Sequence, residues 1–220
     1  MCGRFTLSQP TDAIASAFNI AQIPPLEPRY NIAPTQLIPS ILSAPGGEKQ
    51  LQMLRWGLIP SWAKDAKIGA KLINARAETV SEKPSFKAAF KRRRCLIVAD
   101  GFYEWQRQEK QKQPYYFRLQ NSQLFAFAGL WEQWKSPDED IINSCTVLTT
   151  EANDLLRPIH DRMPVILESK DYELWLDSEA QQPQLQQLLR PYQAALMTSY
   201  TVSTKVNNPK NNTPECINSL

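Results

Sequence analysis

Between Cys95 and Thr150 the chain runs through CLIVADGFYEW, PYYFRL, LFAFAGLWE and SCTVLTT. These are short β-rich runs separated by turns, and short connections favour antiparallel neighbours over parallel crossovers. Further strand candidates are LIPSIL and LQMLRWGLIP around a GGEK turn, then MPVIL and YTVST. Helical spacing is confined to brief stretches. Thr11–Phe18 reads as a helix capped by Thr11, and Ser85–Arg94 carries Phe86, Ala89 and Phe90 on one face. EANDLLRPIH opens as a helix that Pro158 breaks, while KDYELWL and QLQQLLRPY look helical. PPLEPRYNIAPTQ reads as an irregular surface loop, SWAKDAKIGAKLINARAETV ends in a polar stretch, and VNNPKNNTPECINSL reads as an extended tail. With no repeat and no clear linker, the expectation is one α+β domain over residues 1–220. Its core should be a mainly antiparallel, curled or barrel-like sheet with peripheral helices.

Composition fits a chain that buries a core: 42% of the 220 residues are hydrophobic and 21% charged. No apolar run approaches the ~20 residues that span a bilayer, and no basic segment followed by an apolar stretch opens the chain. An intracellular protein with no membrane partner is expected. The net charge of +3 does not by itself demand nucleic acid, but Lys91-Arg92-Arg93-Arg94 form a block. That block is either a solvated helix end whose cations suit the helix dipole, or a phosphate-binding stripe. The four cysteines contain no Cys-x-x-Cys pair and there is one histidine, which argues against a zinc site and leaves no metal or cofactor expected. Cys95 and Cys145 open strand-like runs and read as buried apolar residues.

Cys2 follows the initiator methionine directly. Removal of Met1 would leave one residue with an amine of pKa about 7.7–8.0 and a thiol of about 8.5. An aldehyde could form an imine with that amine, and the thiol of the same residue could close a five-membered thiazolidine. A chance cysteine is the alternative. His160, in RPIHDRMP, is either a structural histidine or a general acid–base at a proline break. Glu104, in GFYEW, is either a surface carboxylate or one held in a partly apolar site for proton transfer. Asn74 and Arg76 share a face if INARAE is extended, suiting an amine or sugar and a phosphate respectively. Turn chemistry and an ion pair would equally account for them. Trp56, Trp62 and Trp105 are core residues or platforms for unpaired bases.

Taken together, MCGRF, YNIAPTQ, WGLIPSWAKD, INARAET, RCLIVADGFYEW, FAGLWE, TTEAN, IHDRMPVIL and the VNN…PEC tail resemble the SRAP family, the SOS-response-associated peptidase or abasic-site-processing proteins. The resemblance covers nearly the whole chain and is to the bacterial single-domain members. One departure is Thr213, which stands before Pro-Glu-Cys where an acidic residue is expected. The resemblance implies a sensor that attaches covalently to abasic sites in single-stranded DNA through Cys2, forming a thiazolidine. It implies that Asn74 positions the amine and the sugar, that Glu104 moves protons around the imine, and that His160 assists sugar-ring opening. It further implies DNA contacts by Arg4, Trp62, Arg76, Trp105, Thr149 and Arg162. Weak lyase activity, a monomeric state and a cytoplasmic, nucleoid-associated location follow from the same likeness. Its peptidase label offers a cysteine-type peptidase as the alternative, through self-removal of Met1 or cleavage in trans. A non-catalytic single-strand-binding module is the third class.

Overall fold

A computed structural model describes residues 2–44, 46–107 and 112–220. Its strands are β1 (Phe5–Leu7), β2 (Arg29–Ile32), β3 (Leu37–Ser43), β4 (Lys49–Trp56), β5 (Asn74–Arg76), β6 (Arg94–Ala99) and β7 (Gly101–Arg107). They continue with β8 (Lys112–Leu119), β9 (Phe125–Lys135), β10 (Ile141–Glu151), β11 (Arg162–Pro164), β12 (Ile166–Leu167) and β13 (Met197–Thr201). The helices are short: α1 (Thr11–Phe18), α2 (Lys87–Arg92), α3 (Tyr172–Leu176) and α4 (Gln182–Leu188).

Five strands close on themselves. β3 pairs β4 and β6, β6 pairs β9, β9 pairs β10, and β10 returns to β4. Four of these pairings are antiparallel; the β10–β4 closure is parallel. The expected barrel-like α+β fold is therefore what forms, and closure removes the open edges that would otherwise invite aggregation. A second, antiparallel sheet runs β13-β8-β7-β1-β2. Aromatic rings join the two. Phe5 meets Trp56 edge-on at 5.2 Å and Phe127 at 5.7 Å, and Phe102 meets Phe127 at 6.0 Å. Such pairs add about 0.5–1.5 kcal/mol each beyond the area they bury.

Local structure departs from the sequence reading where polar side chains override propensity. Thr11 is not the cap of α1: Pro10 holds that position, and the Thr11 hydroxyl accepts from the Leu26 N–H at 2.9 Å. Part of the supposed loop PPLEPRYNIAPTQ is β2, recruited as the partner of β1. EANDLLRPIH forms successive turns rather than a continuous helix: Asn153 Oδ1 accepts from the Leu156 N–H at 3.1 Å as a helix cap would, but Pro158, with no N–H to donate, interrupts the run. The tail carries short 3₁₀ turns over Thr204–Asn207 and Pro214–Ile217. The basic block divides. Lys91 and Arg92 are exposed, Arg93 pairs with Glu132 at 2.6 Å, and Arg94 is buried. Arg94 donates to the carbonyls of Phe90, Lys91, Trp175 and Asp177, so one cation closes the C-terminal ends of α2 and α3. The apolar face of Phe86, Ala89 and Phe90 is buried as its spacing required.

Gly57 ends β4 with φ +129°, and a Cβ there would stand 2.6 Å from the Gly69 carbonyl oxygen. Both the backbone angle and the close approach require glycine. Gly57→Ala should lower stability by about 2–4 kcal/mol in urea denaturation; a loss below 1 kcal/mol, on the order of a surface change, would contradict this packing.

Candidate active site

The N-terminal strand is laid against β7. Phe5 pairs with Phe102 and Thr6 with Gly101, and the Tyr103 N–H donates to the Arg4 carbonyl at 3.0 Å. Continuing that antiparallel register carries Cys2 toward Glu104. Cys2 is fully buried. On its other side, Asn74 Nδ2 donates to the Cys2 carbonyl at 2.8 Å. Asn74 reaches this position because β5 pairs with β10, Val147 opposite Asn74. The Asn74 Oδ1 atom is buried and accepts no hydrogen bond among the described residues. Met1 lies outside the described residues.

Burial, and then the negative charge of Glu104, push the Cys2 thiol up to about 12. The Glu104 carboxyl is itself raised above the usual carboxylate range by burial, with His160 acting in the opposite direction. Glu104 is 3% exposed. His160 is partly exposed at 28% of its side chain, and its Nδ1 accepts the Arg162 N–H at 2.9 Å. That bond leaves Nε2 as the protonated nitrogen of the neutral ring. Asp161 Oδ1 lies 3.0 Å from the same Nδ1. The turn carrying His160 is tied to β7 by Gln106, whose amide donates to the Pro158 carbonyl at 3.2 Å.

Glu104 and His160 line a cleft of about 450 Å³ with Arg4, Trp105 and Asn207, to which Arg107 and Lys112 add positive charge. The Arg4 guanidinium sits 5.7 Å from the Trp105 ring centroid. Trp105 Nε1 donates to Asn207 Oδ1 at 2.7 Å. Thus Cys2, Asn74, Glu104 and His160, far apart in sequence, are brought together beneath an aromatic and basic opening.

The remaining residues separate. Arg76 is exposed on β5, two residues beyond Asn74. Arg162 grips Glu78 with both prongs, at 2.7 and 3.0 Å, and donates to the Thr149 carbonyl at 2.6 Å. Glu78 is held below the usual carboxylate range by that hydrogen bond. Thr149 differs from expectation: its side chain is fully buried and its hydroxyl donates to the Ala75 carbonyl at 3.4 Å, so it supports β5 rather than facing outward. Trp62 is 59% exposed and lines a different cleft, with Lys64, Lys67 and Lys71. Trp56 is core, its indole donating to the Ile73 carbonyl at 2.9 Å. Asn31, Gln106 and Asn207 were not anticipated. Asn31 and Asn207 lie within YNIAPTQ and the VNN tail, motifs read as loops, where side-chain roles had no periodicity to reveal them.

The profile of the family "SOS response associated peptidase (SRAP)" matches residues 1–209. The chain belongs to that family. It is 52% identical over 224 residues to the Bacillus subtilis abasic site processing protein YoqW, covering 100% of both chains. It is 49% identical over 222 residues to YoaM of the same organism, another abasic site processing protein, covering 99% of this chain and 97% of that one. A crystal structure of a protein from Bacteroides thetaiotaomicron superposes with a TM-score of 0.89 at 26% identity, covering 100% of each chain. Among the described residues, no cluster of His, Cys, Asp and Glu could hold a metal ion, and no helix is long and apolar enough to cross a membrane.

Because burial raises Glu104 in the folded chain, folding favours its protonated form. The stability it contributes is full below the ordinary carboxylate range and is lost as pH rises through its raised value. Glu104→Gln, uncharged at every pH, should therefore be more stable than wild type at neutral pH, with the gap closing as pH falls toward about 4. Urea denaturation across pH checks this; a less stable variant at neutral pH would refute the assignment of Glu104 as a strained carboxylate.

Proposed function

We propose that this protein processes abasic sites in single-stranded DNA. Once Met1 is gone, the Cys2 amine and thiol close a thiazolidine on the C1′ aldehyde of the lesion. The observation that carries the reading is the pairing of Asn74 and Glu104 around one buried cysteine at the second position of the chain. The relatives named for abasic-site processing support it.

The chemistry follows from the positions. A closed abasic sugar must first open, with the C1′ hydroxyl losing a proton and the ring oxygen gaining one. His160, at the cleft, supplies that acid–base function. The Cys2 nitrogen then attacks C1′, and the carbonyl oxygen leaves as water, giving an imine. While Met1 is attached, that nitrogen is an amide whose lone pair is delocalised and cannot attack. Asn74 Oδ1, without a donor of its own, is suited to accept from the amine. A thiol held at about 12 remains protonated at neutral pH, so the amine reacts first. Glu104 takes the thiol proton as sulfur adds to C1′, and a proton passes to the former imine nitrogen. The sum is one water lost and two bonds gained at C1′, to N and to S. Ring closure also removes the iminium that would drive β-elimination, which keeps lyase activity low.

The exposed Arg76, with Arg4 and Trp105 at the cleft, is suited to phosphates and an unpaired base. Arg162 would serve by holding Glu78 and the His160 turn, and Trp62 by stacking farther along the strand. A cysteine peptidase acting in trans is less well supported, because such enzymes need a lowered thiol pKa and Cys2 has a raised one.

Protein lacking Met1, incubated with abasic single-stranded DNA, should give a complex that survives denaturing electrophoresis. Its intact mass should equal protein plus DNA less one water. Cys2→Ala should give no such species, and a normal yield from that variant would sink the mechanism. Arg76→Ala should weaken DNA binding and reduce its salt slope by about one, leaving the adduct formed at saturating DNA unchanged; an unaltered affinity would remove Arg76 from the phosphate path.

A further inference from the structure

The tail beyond β13 crosses the cleft side of the molecule as a strap, and one buried amide, that of Asn31, bonds three of its carbonyls. Asn31, on β2 and only 2% exposed, does not line the cleft. Its Nδ2 donates to the carbonyls of Val206 at 3.1 Å, Asn208 at 3.1 Å and Asn211 at 2.8 Å. Its Oδ1 accepts from Arg4 Nη1 at 2.7 Å, and the same Nη1 donates to the Val206 carbonyl at 2.8 Å. Asn207, between two of the gripped carbonyls, fixes the Trp105 indole. Arg4 lies over that indole ring. The strap residues Asn207, Asn208, Pro209 and Lys210 are exposed, between the buried Val206 and Cys216.

We propose that Asn31 is a positioning residue for nucleic-acid binding. Through the strap it locks Arg4 and Trp105, the cation and the stacking surface of the cleft, into one arrangement before DNA arrives. The proposal rests on the function proposed above. Its physical basis is preorganisation: a side chain already held in its bound rotamer loses less entropy on binding. Arg4 spends one nitrogen on the strap, which orients the planar guanidinium against the indole. Without Asn31, the strap loses three hydrogen bonds to β2 and Arg4 loses one acceptor, which loosens the rotamers of both cleft side chains. The reacting groups Cys2, Asn74, Glu104 and His160 make none of the strap contacts recorded for Asn31.

The test separates affinity from chemistry. Binding is measured with single-stranded DNA carrying tetrahydrofuran, an abasic analogue with no aldehyde. Chemistry is measured as the adduct-forming rate constant at saturating abasic DNA, well below the melting temperature of each variant. Asn31→Ala should bind the analogue about tenfold more weakly, with the saturating rate constant within about twofold of wild type. In an Arg4→Ala, Trp105→Ala background, Asn31→Ala should cost no further affinity, because there is nothing left to position. Additive losses in that background, or a lowered melting temperature with unchanged affinity, would make Asn31 merely structural and overturn the proposal. If Asn31→Ala does not fold, Asn31→Ser, which shortens the side chain and keeps it polar, should show the same split between affinity and rate; unchanged analogue binding there overturns the proposal as well. Absence of any adduct from wild type would instead fault the proposed reaction, since the analogue reports binding without it.

Discussion

Strand β10 hydrogen-bonds to four others, and the barrel and the site both depend on that one strand. Along Ile141–Val147 it pairs with β9, and at Ser144–Cys145 it meets β4 in parallel, which closes the ring. Past Val147 its edges change partners. β5 takes one side, opposite Val147–Thr149, and β11 takes the other, opposite Thr149–Glu151. The first of these carries Asn74 and Arg76; the second begins at Arg162, two residues after His160. An eleven-residue strand that outruns its barrel neighbours thus gathers segments 86 positions apart, Asn74 and His160, toward the cysteine at the start of the chain. The buried Thr149 hydroxyl, bonded to the Ala75 carbonyl, belongs to this scaffold.

Burying the reactive groups is unfavourable for the fold. A carboxylate and a thiol removed from water each have their ionised forms disfavoured, and the charge of Glu104 further disfavours the Cys2 thiolate. The rest of the molecule offsets this with aromatic packing between sheet and barrel and with polar groups that are fully engaged elsewhere. Arg94 uses its guanidinium on four carbonyls, and Asp100 accepts from Thr6, Ser8 and the Gln9 N–H at the turn between β6 and β7. The contrast is informative: Arg94 and Asp100 are buried and saturated, whereas Asn74 Oδ1 is buried with an acceptor to spare. That spare acceptor beside Cys2 is a group that a bound ligand could engage.

Much of the strand pattern was legible because it rests on local composition. Runs such as CLIVA and FAFAGL are β-branched or aromatic and bounded by turn residues, and they became β6 and β9. Closure was not legible, since it depends on the parallel contact of β4 with β10, between residues about ninety positions apart. EANDLLRPIH starts as a helix would, capped by Asn153, but goes no further than turns because Pro158 interrupts it. Of the site, Cys2, Asn74, Glu104 and His160 were each ambiguous alone, and the likeness of their surrounding motifs to one family gathered them. Thr149 shows the limit of that route: its side chain faces inward and its hydroxyl supports β5. Asn31 shows the opposite limit, a residue quoted within a motif whose work is visible only when a tail 175 positions away folds over it.

The raised thiol pKa and the N-terminal position of Cys2 answer the same chemical requirement under the proposed reaction. A thiolate facing an aldehyde would give a hemithioacetal, which reverts readily. A nitrogen nucleophile gives an imine, which loses water and presents a carbon that sulfur can then trap. Keeping the thiol protonated until the imine exists orders the two bonds; burial, with the negative charge of Glu104 adding to it, holds that proton, and Glu104 would be the base that later takes it. The amine needs no comparable tuning, because an α-amine already titrates near neutrality at about 7.7–8.0. What it needs is to be uncovered. Under the proposed reaction a residue ahead of Cys2 would lock the nitrogen as an amide, while the strand pairing of Arg4 and Phe5 with β7 holds the cysteine in place.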